Sequence, residues 1–255
     1  MTIRQHFTKL FHLLWIGGCA LALVFQTRLM VGLPVTPGWL DGFVFGSTVF
    51  GYYCTHPTRT YRGLAWFLAG GAGVCFLFLD RDTQWSALGP GLLWGAYYGL
   101  RRPGRAGLRT LPAAKPVVIA LVWAWVTIWL PAGQLLLPIF VARATFVFAL
   151  ALAYDLTDLA YDQRHHLVTL VSRMGERKAY YLIYAALGLA TLFIGLDFLL
   201  KNIPLAIAVA IWATYLLTAL SLRFIIDSTA KVAWQKVAID ALMILQALLV
   251  WLALR

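Results

Sequence analysis

Three aspartates, Asp155, Asp158 and Asp162, open the stretch "DLTDLAYDQRHHLVTLVSRMGERKA" of residues 155 to 179, directly after the apolar run "ATFVFALALAY". The chain holds 10 acidic residues against 21 Lys and Arg, so this segment concentrates a scarce side chain. At 100° per residue the spacing i, i+3, i+7 predicts one shared helical face, with the first and last carboxylates within about 20° of each other. Like charges on one stripe repel, and a charged side chain at membrane depth costs on the order of 2.5 to 3.5 kcal/mol. A cation is the simplest compensation. Carboxylates are hard oxygen ligands, which favours magnesium, manganese or calcium over zinc or copper. Magnesium (Mg2+) typically binds one or two carboxylates and fills its shell with water and phosphate oxygens, so the pattern implicates a phosphorylated substrate. Arg164, His165, His166, Arg173, Arg177 and Lys178 follow at once and can balance negative charge. The alternative is a helix that runs out into water and carries solvated surface acids.

The elements that must position these groups are membrane helices. The chain of 255 residues is 62% hydrophobic and 12% charged, with apolar runs of about 20 residues recurring from end to end. This composition excludes a soluble domain, and continuous runs exclude the alternating strands of a membrane barrel. Cutting the runs at Pro, Gly and charge clusters predicts nine helices at roughly 11–32, 39–55, 62–79, 85–100, 115–131, 136–161, 179–199, 203–224 and 235–254. With the N-terminus cytoplasmic, sixteen of the 21 basic residues fall inside and three (Arg81, Lys201 and Arg255) outside, while Arg28 and Arg143 lie within helices. The expected architecture is therefore all-α, a nine-helix polytopic bundle forming a single domain over residues 1–255. The net charge of +11 sits in short loops and reports orientation, not nucleic acid. Cys19, Cys54 and Cys75 are scattered without metal-ligand spacing and read as small core residues. The first apolar run continues well beyond "WIGGC", too long for a cleaved signal peptide, and reads as the first membrane helix.

The segment from residue 155 resembles the second aspartate motif of the UbiA superfamily of intramembrane prenyltransferases. The matching positions are Asp155, Asp158, Asp162, Thr169, Leu170, Gly175 and Lys178, placed after the sixth of nine expected helices. Weaker resemblance covers "LPAAKPVVIALVWAWVTIWLP" at 111–131, led by Lys115, and "VAIDALMILQALLVW" at 237–251. The resemblance implies a central cavity open to the cytoplasm in which magnesium on Asp155, Asp158 and Asp162 holds an isoprenyl diphosphate. It also implies a first aspartate motif at the end of helix 2, and here the sequence departs. Residues 45–62, "FGSTVFGYYCTHPTRTYR", contain no acid. His56, Arg59 and Arg62 occupy that place and could hold diphosphate oxygens directly, or serve only as cytoplasmic anchors. Further diphosphate candidates are Arg101 in the loop before helix 5, Lys115, Arg164 and Lys178.

Arg143 within helix 6 is expected to reach the outer interface or pair with Asp41 or Asp197, and Asp240 to pair with Lys236 or contact the site. Tyr52, Tyr53, Tyr154 and Tyr161 could line a cavity or simply pack between helices. The leading expectation is an enzyme that transfers a prenyl group to a lipophilic acceptor, or its variant, an intramembrane terpene cyclase. The alternative is a catalytically degenerate subunit of the same fold that binds an isoprenoid or pigment, or assembles with a partner membrane protein. A transporter is disfavoured because no helix interior is expected to carry an ionisable pair at mid-membrane, where Arg143 stands isolated. The expected location is the lipid bilayer of a bacterial inner membrane.

Overall fold

The apolar runs fold as helices, and no strand occurs among the described residues, which in this computed structural model are 3–55, 59–99, 113–164 and 168–255. Among the described residues the longer helices are α1 (Ile3–Met30), α2 (Trp39–Thr55), α3 (Arg62–Leu77), α4 (Arg81–Gly99), α5 (Ala114–Ala132), α6 (Leu137–Thr157), α9 (Glu176–Leu199), α10 (Leu205–Ile226) and α11 (Val232–Ala253). Two short ones, α7 (Leu159–Arg164) and α8 (Leu170–Met174), lie between α6 and α9. Six of the helices, α1, α5, α6, α9, α10 and α11, are long and apolar enough to cross a membrane, which makes this an integral membrane protein.

The starts and stops have local causes. α1 closes where Gly32 adopts φ 70° and the Leu33 N–H returns to the Arg28 carbonyl at 2.8 Å, satisfying an orphan acceptor of the last turn. α4 begins four residues before its expected start because Asp80 caps it. The Asp80 carboxylate accepts the Thr83 N–H at 2.9 Å, and this backbone hydrogen bond holds its carboxyl below the usual carboxylate range. Within α5, residues Trp125–Trp129 take the wider π-helical turn. The Thr127 carbonyl there accepts the Thr27 hydroxyl of α1 at 2.6 Å, tying two helices together inside the bundle.

α6 is the central element, packed along α9 and α5, while α1 packs against α11 and α2. Ala142, Ala149 and Ala153 on α6 and Ala179, Ala186 and Ala190 on α9 are buried small residues that permit close backbone approach, the packing currency of membrane helices. α2 and α3 approach still more closely. A Cβ at Gly46 would stand 2.7 Å from the Leu68 carbonyl oxygen, so only glycine fits. The outer surface is apolar: Phe224 is 80% exposed, and Phe67, Leu77, Leu192 and Leu199 also face outward, as suits a hydrocarbon solvent.

One expectation for the aspartate helix is corrected here. The single helix of 136–161 ends at Thr157, with Asp158 as its cap at φ −95° and ψ −2°, before α7 restarts the spiral. The Asp162 N–H still reaches the Asp158 carbonyl at 2.9 Å, so the acids stay neighbours although the stripe is broken.

Candidate functional site

The last turn of α6 delivers Asp155, whose side chain is 1% exposed. Its Oδ1 accepts the Lys115 Nζ of α5 at 2.6 Å, and its Oδ2 is buried without a hydrogen-bond partner. Asp158 accepts the Lys236 Nζ of α11 at 2.7 Å, and that ammonium also stands 5.7 Å from the centre of the Tyr154 ring. Asp162 is buried in α7. Desolvation pushes its carboxyl above the usual range, and the charges of Asp158 and Asp155 add to the shift, while Lys115 and a hydrogen bond with Thr169 oppose it.

Thr169 owes its position to a reciprocal cap. Its hydroxyl accepts the Ser172 N–H at 3.2 Å, and the Ser172 hydroxyl accepts the Thr169 N–H at 2.8 Å. Gly175, at φ 79°, then ends α8 and lets α9 begin.

A second polar cluster adjoins the first. His12 Nε2 of α1 lies 3.2 Å from Asp240 Oδ2 of α11, and the acid is almost fully buried. The Tyr154 hydroxyl stands 3.4 Å from the same imidazole nitrogen and donates to the Lys236 carbonyl at 3.2 Å. These contacts connect α1, α6 and α11 at the end of the bundle where the aspartates converge. They also correct one expectation: Asp240 is paired with His12, not Lys236, which turns to Asp158.

The other sequence candidates are placed as follows. Lys115 joins the cluster and keeps 43% of its side chain exposed. Arg62, Arg164 and Lys178 are exposed and form no ion pair with a described residue. His56 and Arg101 lie outside the described residues, as does the side chain of Arg59. Tyr52 is half-buried and meets Trp123 edge to face with ring centres 6.5 Å apart, Tyr53 is buried, and Tyr161 is exposed. Arg143 reaches neither Asp41 nor Asp197. Its Nη2 donates to Gln26 Oε1 at 2.7 Å, whereas Asp41 pairs with Arg28 at 3.1 Å and Asp197 accepts from Asn202 at 2.8 Å.

Sequence reasoning missed His12 altogether and assigned Lys236 a different partner. The signal for Lys236 was a cation one turn into an apolar helix. His12 had no local signal, because its partner is 228 positions away on the last helix.

Three carboxylates face two lysines here among the described residues, an excess of one acidic side chain. Among the described residues no three His, Cys, Asp or Glu side chains stand close enough to hold a metal by themselves. The hard oxygen donors and the orphaned Asp155 Oδ2 nevertheless fit magnesium bound in its usual manner, by one or two carboxylates with water and phosphate oxygens completing the shell. The lysines offer point charges that phosphate oxygens can take in exchange for the carboxylates.

No protein-family model matches the chain, and no curated protein matches it. Its fold, however, is found in a solved structure of digeranylgeranylglyceryl phosphate synthase, a membrane protein, with a TM-score of 0.60 over 96% of this chain and 98% of that one. The sequences are 13% identical, so what the two share is the fold, a helical bundle matched almost end to end.

Proposed function

We propose that this chain is a membrane prenyltransferase of the UbiA type that binds an isoprenyl diphosphate at Asp155, Asp158, Asp162, Lys115 and Lys236 and transfers the prenyl group to a lipophilic acceptor. The observation that carries this reading is the convergence of these five side chains, from α5, α6, α7 and α11, at one end of a prenyltransferase fold. In this reading all nine longer helices cross the bilayer as one domain, and the aspartate end faces the cytoplasm of a bacterial inner membrane. The biased distribution of basic residues supports that orientation.

When bound, magnesium would supply charge neutralisation of the diphosphate leaving group; one or two of the carboxylates Asp155, Asp158 and Asp162 would hold it, with water and phosphate oxygens completing its shell. Lys115 and Lys236 take the remaining phosphate charge, which answers the absence of acids in residues 45–62: cations from α5 and α11 do part of what a second metal would do. Diphosphate departs with the bonding electron pair, and the acceptor nucleophile attacks the allylic carbon. Tyr154, whose ring lies beneath the Lys236 ammonium, offers an aromatic face toward developing positive charge.

One observation favours the second reading, a non-catalytic subunit that keeps the binding site. Arg62, expected opposite the aspartates, is exposed and touches none of them. Incubating membranes containing the protein with radiolabelled geranylgeranyl diphosphate and a lipid extract separates the two. An enzyme yields a new labelled lipid that an Asp155→Asn variant fails to form. Label that binds but is recovered unchanged supports the subunit.

A further inference from the structure

His12 is the polar side chain at the aspartate end of the bundle that the proposed diphosphate site leaves unused. Its Nε2 faces two oxygens, Asp240 Oδ2 at 3.2 Å and the Tyr154 hydroxyl at 3.4 Å. Neither offers it a proton: an ionised carboxylate only accepts, and the Tyr154 hydroxyl donates to the Lys236 carbonyl at 3.2 Å. The ring hydrogen of the neutral imidazole therefore sits on Nε2, and the lone pair is left on Nδ1. Nδ1 has no hydrogen-bond partner among the described residues, and it is not one of the sealed, unpartnered polar atoms of the bundle. The His12 side chain is 25% exposed, so this nitrogen can be reached from outside.

The carboxylate behind the ring is the opposite case. The Asp240 side chain is 2% exposed, and its Oδ2 has no other polar group to turn to among the described residues. A link between α1 and α11 needs no charge, and burying a carboxylate is costly unless a positive charge answers it. A buried acid on one imidazole nitrogen with the other nitrogen open is the arrangement that fixes a tautomer and stabilises the imidazolium once a proton arrives. The position suits the chemistry as well. Tyr154 precedes Asp155 in α6, its ring lies beneath the Lys236 ammonium, and Lys236 holds Asp158, so one tyrosine side chain separates His12 from the acidic site. Lys115, Asp158 and Lys236 are partly exposed like His12, so the site and the imidazole are open at the same end of the bundle.

We propose that His12, oriented by Asp240, is the general base of prenyl transfer and that the acceptor's nucleophile is a hydroxyl; this rests on the prenyl-transfer reading above. As the allylic carbon–oxygen bond breaks, its electron pair leaves with diphosphate. The acceptor oxygen forms the new bond to that carbon, and its proton passes to His12 Nδ1. Asp240 meets the charge of the imidazolium, which afterwards loses the proton to water through its exposed edge. A thiolate or carboxylate acceptor would need no such base. The titratable and charged groups around the imidazole and its acid are Tyr154 on α6, Lys236 on α11, Tyr52 and Tyr53 on α2 and Cys19 on α1. Of these residue types and histidine, only histidine ordinarily changes charge near neutral pH.

The test follows single-turnover transfer of label from saturating geranylgeranyl diphosphate to a lipid extract by the full chain in lipid nanodiscs, from about pH 5 to about pH 9, with diphosphate binding measured at each pH. The wild-type rate per bound diphosphate is expected to rise with pH through the neutral range. His12→Gln is expected to bind the diphosphate as the wild type does, to transfer on the order of 10²-fold more slowly and to lose that rise. Added imidazole is expected to restore part of the rate to His12→Ala. A His12→Gln variant that keeps the wild-type rate and pH profile, or whose slower rate tracks weaker binding, overturns the proposal. Should neither variant fold, the wild type still decides, since a rate that is flat across the range overturns it. Label bound but never transferred by the wild type removes the prenyl-transfer reading and the base with it, whereas transfer indifferent to His12 removes the base alone.

Discussion

At the scale of the residue, Asp162 is the side chain whose physics and proposed role pull in opposite directions. Burial and its two acidic neighbours raise its carboxyl above the ordinary range, so the folded protein holds a proton there more tightly than the unfolded chain does. Between the ordinary carboxylate value and the raised one, the native state binds more protons, and stability falls as pH rises through that window. At neutral pH the ionised group is a net liability to folding. Asp162→Asn is accordingly expected to raise the apparent Tm at pH 7, with the gain shrinking on acidification, while weakening magnesium-dependent ligand binding. Thermal scans across pH check the first part; an unchanged or lower Tm at pH 7 contradicts it. Lys115 and Lys236 show the complementary logic: each is placed to hold a carboxylate now and a phosphate oxygen later.

At the scale of the element, most helices could be read from hydrophobic runs and punctuation, because those signals are local. The end of α1 at Gly32 and the stop of α8 at Gly175 are written in adjacent residues. Pairings across the bundle could not be read, because lipid-facing and core-facing residues are both apolar and give no face to follow. Lys115 meets Asp155 from 40 positions away and Lys236 meets Asp158 from 78. The break at Asp158 was hidden too, since its backbone sits only slightly outside the α-helical region. The closeness of α2 and α3 at Gly46 gives a prediction at this scale. Gly46→Leu forces a side chain into the Leu68 carbonyl and is expected to destabilise the protein by about 2 kcal/mol or more, as overpacking does. Comparing denaturant or thermal midpoints checks it; the equivalent substitution at Gly71, where a Cβ meets nothing within 4 Å, serves as the control expected to be near neutral.

At the scale of the whole molecule, the aspartate motif gave the family resemblance, and the end-to-end likeness to digeranylgeranylglyceryl phosphate synthase supports it as a fold. The same bundle holds two polar centres of opposite character, an anionic one with an excess carboxylate at one end of α6 and a cationic one at Arg143 nearer its start. The first invites a cation with a phosphorylated ligand. The central claim concerns the first centre, and calorimetry with geranylgeranyl diphosphate tests it most directly, run with magnesium and with chelator on the wild type and on Asp158→Ala. The account predicts wild-type binding that is strengthened by magnesium, with that strengthening lost in the variant. No binding by the wild type under either condition, or a magnesium effect that survives in Asp158→Ala, would contradict it.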